Sequence, residues 1–325
     1  MLARMASTRR GTPSGVSLQD LGSLLFLGAV WGGAFLFLRI AAPQVGPLWA
    51  AEARIGLAAL LLLAVAGPRT WRAARGRLGS FAVVGLLFSA LPFSLIAFGS
   101  LTLPAGFGAL LNASTPLFTA IVSAAWLGHR LTGRASVGLG VGVAAVLVLV
   151  GWSPLPMTPD TLLAVLAVLG AAFSYALAGT FVRSRLSDVS GLELATGQVT
   201  SGALILLPFA LLSGPPGAAS VDGLASLVGV AVLSTAVAWP VFFRVLQHTT
   251  PTAASTVTFI VPAFGIAWGA IFLAEPVGLS LVAGFGLVLV SLVLVLGLPV
   301  PTPIRLVRSG HALVHRGLRA ASAAA

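Results

Sequence analysis

Ten long apolar runs, separated by short breaks, make up most of this sequence. Each run is about twenty residues long, the length that an α-helix needs to cross the hydrocarbon core of a bilayer. A transmembrane β-strand is about half as long and alternates apolar with polar residues. The pattern therefore predicts an all-α membrane protein with ten transmembrane helices. The runs lie near residues 21–40, 48–66, 79–99, 105–127, 135–152, 161–182, 191–212, 223–243, 252–273 and 278–298.

The scarcity of charge supports this prediction and excludes a water-soluble enzyme. Only 8% of the 325 residues are charged, whereas a soluble domain carries about 25%. The chain has no cysteine, no nucleotide-binding loop and neither the H-E-x-x-H nor the G-x-S-x-G pattern. We therefore expect no enzyme activity, no cofactor and no metal site. The alternative outside the transporter class is a membrane-embedded enzyme or an assembly factor. An enzyme would need a cluster of polar catalytic residues, and an assembly factor would need a soluble docking domain.

The arginines predict how the chain is threaded through the membrane. All 18 basic residues are arginine, and loops rich in Lys or Arg stay on the cytoplasmic side. With residue 1 in the cytoplasm, every arginine outside the apolar runs falls on that side. We therefore expect a multi-pass protein of the bacterial cytoplasmic (inner) membrane, with both termini cytoplasmic and no nucleic-acid partner. These arginines are Arg4, Arg9, Arg10, Arg69, Arg72, Arg75, Arg77, Arg130, Arg134, Arg183, Arg185, Arg244, Arg305, Arg308, Arg316 and Arg319.

The second half of the sequence repeats the first. A shift of 146 residues places Pro116 on Pro262 and Gly138 on Gly284. Because each repeat has five helices, an odd number, the second must enter the membrane from the opposite side. Inverted repeats are typical of alternating-access transporters, which hold their substrate near the midplane between the halves. The predicted division is a cytoplasmic segment 1–20, a first repeat 21–152, a second, inverted repeat 161–298 and a tail 299–325.

Polar and aromatic side chains inside the runs are candidates for a substrate site. Helix 4 carries Asn112 and Thr115 on one stripe, and helix 9 carries Thr258 on a similar stripe. Such stripes fit either the lining of a cavity or close packing between helices. Deep aromatic residues likewise fit either substrate contact or contact with lipid and core. The predicted substrate-binding residues are Trp31, Phe35, Ser89, Asn112, Thr115, Tyr175, Trp239 and Thr258.

Charges and prolines inside the runs are predicted to lock or gate the helix bundle. Arg39 and Glu52 lie near the outer ends of helices 1 and 2, which predicts an ion pair between them. Arg54 is the deepest charge, and it fits either a site for a substrate carboxylate or a structural lock on neighbouring carbonyls. A proline kinks a helix, and a kink can hinge a gate or simply shape the bundle. The prolines concerned are Pro92, Pro116, Pro240 and Pro262.

Several short stretches of the sequence, among them residues 28–35 (GAVWGGAF) and residues 111–117 (LNASTPL), resemble the EamA-domain branch of the drug/metabolite transporter superfamily. The likeness covers about residues 20 to 298 and agrees with five-plus-five helices. It implies export of amino acids or related metabolites through a central cavity lined mainly by helices 1, 3, 4, 6, 8 and 9. The branch places a glutamate after the fourth helix of each repeat, but here only the second repeat has one. The stretches are residues 28–35 (GAVWGGAF), Pro47 to Arg54, residues 111–117 (LNASTPL), Pro262, and Leu273-Ala274-Glu275, with His129 in place of the first glutamate.

These observations predict a secondary transporter that exports amino acids or related small metabolites by alternating access. Export or uptake of other small solutes, such as drugs, sugars or nucleobases, is the alternative within the transporter class. No Asp, Glu or His lies at the predicted bilayer centre, which speaks against exchange of a proton for an organic cation. A neutral or zwitterionic, partly apolar solute fits this composition best.

The tail beyond the last run is predicted to lie on the inner leaflet. Wound as a helix, residues 304–319 place Arg305, Arg308, Arg316 and Arg319 within an arc of about 80°, with apolar residues on another side. Such a helix presents its arginines to anionic lipid head groups. A disordered basic tail that serves only to orient the chain is the alternative.

A synthetic peptide of residues 304–319 tests the tail. We expect it to become helical on anionic vesicles and to stay unfolded on neutral ones, because arginine attraction adds about 1 kcal/mol per residue at an anionic surface. Circular dichroism measures both states, and a peptide with the four arginines replaced by glutamine is the control. Absence of helix on both kinds of vesicle would contradict the interfacial helix.

Overall fold

The computed structural model describes residues 18–66, 76–128, 131–248 and 257–298, and all regular structure within these ranges is helical. The predicted tail, the first seventeen residues and His129 lie outside these residues. The helices are α1 (Leu18–Val45), α2 (Pro47–Ala66), α3 (Leu78–Gly99), α4 (Ala105–Asn112 and Thr115–Leu127), α5 (Gly133–Gly151), α6 (Pro159–Arg185), α7 (Gly191–Leu212), α8 (Val221–Ala231, Val232–Val237 and Ala238–His248), α9 (Val257–Leu273) and α10 (Leu279–Val295).

A helix lies on each of the predicted apolar runs. Within the described residues, eight helices, α1 to α8, are long and apolar enough to cross a membrane. Helices α9 and α10 are apolar but have 17 residues each. The chain is therefore an all-helical protein with multiple membrane-capable helices, and the total of ten crossings stays a prediction.

Three helices are interrupted close to a proline. Helix α3 contains a π-helical segment at Leu86–Ala90, just before Pro92, and α8 contains one at Val232–Val237, before Pro240. Helix α4 breaks at two turn residues between Asn112 and Thr115, next to Pro116. A proline has no N–H to donate and its ring clashes with the preceding turn, so the ladder of hydrogen bonds must change there.

The helices of the two halves pack in a reciprocal pattern. Helix α1 packs against α8 and α9, and α6 packs in the same way against α3 and α4. Helix α2 packs against α7, and α5 against α10. The π segment of α8 contacts α2, and that of α3 contacts α7. Each helix from α1 to α5 thus corresponds to the helix five places later, from α6 to α10. When the two members of every such pair are exchanged, the same set of contacts results.

One end of the bundle is called here the arginine-rich end, and it carries Arg77, Arg134, Arg183 and Arg185. Arg77 pairs with Asp188 at 2.8 Å, between the start of α3 and the connection from α6 to α7. The hydrogen bond from Arg77 holds the pKa of Asp188 below its ordinary value. Arg134 donates to the carbonyls of Val293 and Leu298, which ties α5 to the end of α10.

The opposite end is bridged by hydrogen bonds between the halves. The Trp49 indole donates to the carbonyl of Gly214 at 2.8 Å, and the Gln44 side chain accepts from the backbone of Ser220 at 2.7 Å. Both carboxylate oxygens of Glu275, after α9, accept from the backbone N–H of Ala105 at the start of α4, at 3.0 and 2.9 Å. An acidic group is favoured there because a helix N-terminus carries partial positive charge.

The predicted ion pair between Arg39 and Glu52 is wrong. Arg39 donates instead to the carbonyls of Ser100 and Leu101, at 2.9 and 2.7 Å. These carbonyls lie just beyond α3, where a helix leaves its last carbonyls without internal partners. One carboxylate oxygen of Glu52 is buried and has no hydrogen-bond partner within the described part of the chain. The guanidinium is thus satisfied by the backbone rather than by an acid.

Helices α5 and α10 approach closely because small residues line their contact. The Ser291 hydroxyl donates to the carbonyl of Gly138 at 2.6 Å. A Cβ atom on Gly138 would lie 2.9 Å from the backbone nitrogen of Val295, which leaves no room for a side chain. Gly140, on the same helix, has open space around it. Backbone contact of this kind is how apolar helices associate in lipid.

The two glycines make a matched test of this packing. We expect Gly138→Val to lower the thermal unfolding temperature of the purified protein, because overpacking costs about 1–3 kcal/mol. Gly140→Val introduces the same β-branched residue into the same helix and should change the temperature little. Fluorescence-monitored unfolding in detergent measures both. Equal effects of the two substitutions would mean that the contact between α5 and α10 does not require a small residue.

Candidate functional site

A cavity of about 630 Å³ lies between the two halves. This volume is within the usual range for small-molecule sites. Its lining comes from the six helices expected from the family resemblance, together with Arg54 of α2 and the end of α10. Seven of the eight predicted substrate-binding residues line it, together with three residues predicted to be structural or gating: Trp31, Phe35, Asn112, Thr115, Tyr175, Trp239 and Thr258, and Arg54, Pro116 and Pro262.

The cavity extends from the middle of the bundle toward the arginine-rich end. Ser123 lines it near the end of α4, and Leu296 lines it beyond the end of α10. Arg183, which is exposed at the end of α6, also contributes to the lining. None of the residues that bridge the opposite end is in the lining of the described cavity. The lining of the cavity therefore reaches toward the arginine-rich end.

Aromatic rings cover one side of the cavity, and we call this surface the aromatic wall: Trp31, Phe88, Tyr175, Trp239 and Phe242. The Trp31 ring lies 5.5 Å from Trp239 and 5.3 Å from Phe242, between ring centroids. Phe88 contacts both Tyr175 and Trp239, at 5.7 and 5.2 Å. Tilted and edge-on pairs at these distances are favourable. The wall is a continuous, ordered apolar surface with contributions from both halves.

Trp31 is held in place by a reciprocal pair of hydrogen bonds between α1 and α8. Its indole N–H donates to the carbonyl of Ser234 at 3.1 Å, and the Ser234 hydroxyl donates back to the carbonyl of Val30 at 2.6 Å. Ser234 lies in the π segment of α8, where the irregular backbone makes this carbonyl accessible. The interruption of α8 therefore positions the aromatic wall.

The break in α4 presents polar atoms to the cavity. The N–H that would serve the carbonyl of Asn112 belongs to Pro116 and is missing, so the Thr115 hydroxyl donates to this carbonyl instead, at 2.7 Å. The Asn112 side-chain oxygen is buried and has no partner within the described residues. An unpaired buried acceptor is costly. The Asn112 side chain is thus available to accept a hydrogen bond from a bound solute.

Arg54 is the deepest charge in the cavity wall. Its side chain is only 5% exposed. Its Nε atom donates to the Thr235 hydroxyl at 3.0 Å, and its guanidinium lies 3.7 Å from the centroid of the Phe93 ring. The Thr235 hydroxyl donates in turn to the carbonyl of Val230 at 3.0 Å. The guanidinium therefore contacts a hydroxyl group and an aromatic ring. The predicted alternative of a structural lock would have it bound to backbone carbonyls of neighbouring helices.

Other predicted site residues lie away from the cavity. Ser89 is fully buried against α7, and a Cβ added at Gly202 would be 2.8 Å from its Cβ. Pro92 and Pro240 follow the π segments and are outside the cavity lining. Arg39 and Glu52 are outside it as well. The described residues contain no group of three or more His, Cys, Asp or Glu side chains that could hold a metal ion.

Three aromatic residues of the lining were not among the predicted site residues: Phe88, Phe93 and Phe242. A phenylalanine in an apolar helix has the same sequence pattern whether it faces lipid, core or cavity. The signal that was available is the neighbouring proline in each helix, since Phe88 and Phe93 flank Pro92 and Phe242 follows Pro240. Interrupted helices are frequent at functional sites.

Comparison with known proteins decides the family. Residues 21–151 and residues 162–297 each match the EamA-like transporter family. The chain belongs to this family. The two matched ranges together include most or all of each helix from α1 to α10.

Members of the family with related sequences include several transporters. An uncharacterised transporter of Bacillus subtilis is 29% identical over 84% of this chain and 90% of its own length. A probable terminal-alkyne amino-acid exporter of Streptantibioticus cattleyicolor is 26% identical, over 81% of this chain and 88% of its own. A probable amino-acid metabolite efflux pump of Escherichia coli is 26% identical, over 80% of this chain and 89% of its own length.

A solved crystal structure has the same fold. It is 14% identical to this EamA-family protein, with a TM-score of 0.62, and the match covers 85% of this chain and 96% of that one. At this identity the likeness concerns the fold alone. The family match and the names of the sequence relatives, in contrast, refer to transporters.

Substitution of two cavity residues tests whether the wall and the α4 break contact solute. We expect Trp31→Ala and Asn112→Ala each to lower transport about fivefold or more, since a lost buried contact costs about 1–3 kcal/mol. Efflux of a labelled solute from liposomes that contain equal amounts of protein measures this. Trp126→Ala is the control, because Trp126 is 51% exposed and outside the cavity. Unchanged kinetics in both cavity variants would remove these residues from the site.

Proposed function

We propose that this EamA-family protein is a secondary transporter that exports amino acids or related small metabolites from the cytoplasm by alternating access. The observation that carries the proposal is the cavity between the two family-matched halves, which extends to one end only. A cavity that reaches one end while the other end is bridged is what one state of an alternating-access cycle requires. Polar groups and an aromatic wall give this cavity the means to hold a small, partly apolar solute.

The distribution of arginine supports the direction of export. Arg77, Arg134 and Arg183 lie at the end toward which the cavity extends. Arginine-rich connections stay in the cytoplasm, so this end is proposed to be cytoplasmic. The structure then corresponds to an inward-facing state that loads solute from the cytoplasm of a bacterial cell. Release requires the Glu275, Trp49 and Gln44 hydrogen bonds at the opposite end to open.

The reciprocal packing supports two inverted five-helix repeats and ten membrane crossings. In an inverted repeat, a contact between two helices is matched by a contact between their repeat mates. Helices α1 and α6, and the π segments of α3 and α8, follow this rule. The 17 residues of α9 and α10 rise about 26 Å at 1.5 Å per residue. This is close to the hydrocarbon thickness of about 30 Å, and local thinning of the bilayer accommodates the difference.

The relatives support the substrate class. Two of the relatives described above carry names that refer to export of an amino acid or an amino-acid metabolite. Identities of about a quarter support the class of solute rather than one compound. The cavity agrees in size, because 630 Å³ holds a single amino-acid-sized molecule together with water.

Filling the cavity tests the proposal. Liposomes with purified protein are loaded with a mixture of amino acids and their derivatives, and mass spectrometry identifies the compounds that leave. Ala120 lines the cavity, so Ala120→Trp should reduce efflux almost to that of protein-free liposomes. Ala82→Trp places the same ring on an exposed position of α3 outside the cavity and should retain efflux.

Two results would contradict the proposed function. One is that no compound in the mixture leaves faster than it does from protein-free liposomes. The other is that Ala120→Trp and Ala82→Trp transport equally well, which would mean that solute does not pass through this cavity.

A further inference from the structure

The charge of the cavity wall is positive and uncompensated. Arg54 and Arg183 contribute to the lining, and no Asp or Glu of the described residues does so. Glu275 is engaged at the opposite end by the N–H of Ala105, and Glu193 accepts from Ser190 at the start of α7. A low-dielectric cavity with one sign of charge concentrates solutes of the other sign.

Arg54 has hydrogen-bond donors that the described residues leave unused. Of its donors, only Nε is used within the described part of the chain, by the Thr235 hydroxyl. The two Nη atoms donate to no described residue, and no acid pairs with the guanidinium. An arginine keeps its charge when it is buried. A buried cation without a counter-ion is strongly unfavourable, so an anionic partner from the solute would relieve this cost.

The guanidinium is also fixed in orientation before any solute arrives. The Phe93 ring lies 3.7 Å from the guanidinium carbon on one face, and the bond to Thr235 fixes the inner edge. Thr235 is in turn anchored on the carbonyl of Val230. The outer edge of the guanidinium carries both Nη atoms. Two such donors can bind one carboxylate through two parallel hydrogen bonds.

An ammonium group finds no counter-charge in this cavity. The neutral acceptors of the lining include the Asn112 side-chain oxygen and the hydroxyl oxygens of Thr115 and Thr119, whose protons are used on carbonyls of α4. Neutral oxygens accept well from an amide N–H or a hydroxyl. They do not compensate a full positive charge in a cavity whose charged lining residues, within the described chain, are Arg54 and Arg183.

On the basis of the proposed function, we propose that Arg54 is the anion site of the transporter. The preferred solute is an organic monoanion with an aromatic or branched apolar body and no free ammonium group. Its carboxylate binds the two Nη atoms of Arg54, its body packs on the aromatic wall, and a neutral N–H or hydroxyl donates to Asn112. Amino-acid derivatives whose amine is acylated or replaced by a hydroxyl have this chemistry. This solute differs in charge from the neutral or zwitterionic one expected from the sequence.

Four probes with the same aromatic body isolate the charged group. They are 3-phenylpropanoate, phenylalanine, 2-phenylethylamine and 3-phenylpropanamide, which carry a carboxylate, both charges, an ammonium and neither charge. Equilibrium binding to the full-length protein in lipid nanodiscs is measured for each at constant salt. We expect 3-phenylpropanoate to bind at least tenfold more tightly than the neutral amide and more tightly than phenylalanine. We expect the amine to bind most weakly.

The ratio of acid to amide affinity separates binding from folding. In Arg54→Gln this ratio should fall to about one, whereas a purely structural role would weaken both probes equally. Arg54→Lys keeps the charge but loses the paired geometry, so an intermediate ratio is expected. Arg77→Gln removes an arginine outside the cavity and should keep the wild-type ratio. If Arg54→Gln does not fold, Thr235→Val frees the guanidinium from its anchor and should lower the same ratio.

The binding experiment tests the anion site, and the efflux experiment tests the proposed transport function independently. Tighter binding of phenylalanine or the amide than of the acid would overturn the anion site, as would an unchanged ratio in Arg54→Gln. Binding of none of the four probes would overturn it too. In these cases efflux of amino acids through the cavity, blocked by Ala120→Trp, would still support the proposed function. Preference for the acid with loss of that preference in Arg54→Gln supports the inference.

Discussion

Backbone polar groups in a hydrocarbon environment must be satisfied inside the protein, and the rest of this structure depends on how that is done beside its prolines. Pro92 cannot donate to the carbonyl of Leu87 across the π segment of α3, and the Ser174 hydroxyl of α6 does so at 2.7 Å. In α4, the Thr115 hydroxyl serves the carbonyl that Pro116 leaves free. The interruptions of α3 and α4 are thus each compensated by a neighbouring hydroxyl.

This compensation explains why the cavity forms where it does. An unbroken helix offers a solute only side chains, because its N–H and C=O groups are used internally. The interrupted segments of α3, α4 and α8 bring polar atoms and irregular backbone to one level of the bundle. There Ser234 holds Trp31, and Thr235 holds Arg54. Two site residues from the first half, Trp31 and Arg54, are therefore oriented by the π segment of the second half.

The sequence predicts the helices and much of the cavity wall, and it fails where partners depend on packing. Continuous apolar runs that are long enough to cross a membrane predict α-helices. Asn112 and Thr115 recur with the helical period, which predicts that they lie on the same face of α4. The predicted Arg39–Glu52 pair is wrong because Arg39 reaches the backbone carbonyls just beyond α3, and the sequence does not show that these lie beside it. Phe93 and the π segments are missed because lipid-facing and cavity-facing apolar residues have the same composition.

The bond between Glu275 and the first turn of α4 has a strength that depends on how dry its surroundings are. While the opposite end stays packed, the half-buried carboxylate keeps both oxygens on the N–H of Ala105. Once a few water molecules enter, they replace this hydrogen bond at a net cost of about 1 kcal/mol. Partial opening therefore weakens the contact that resists it. A closure of this kind favours two distinct states, shut or hydrated, over a graded series of intermediate widths.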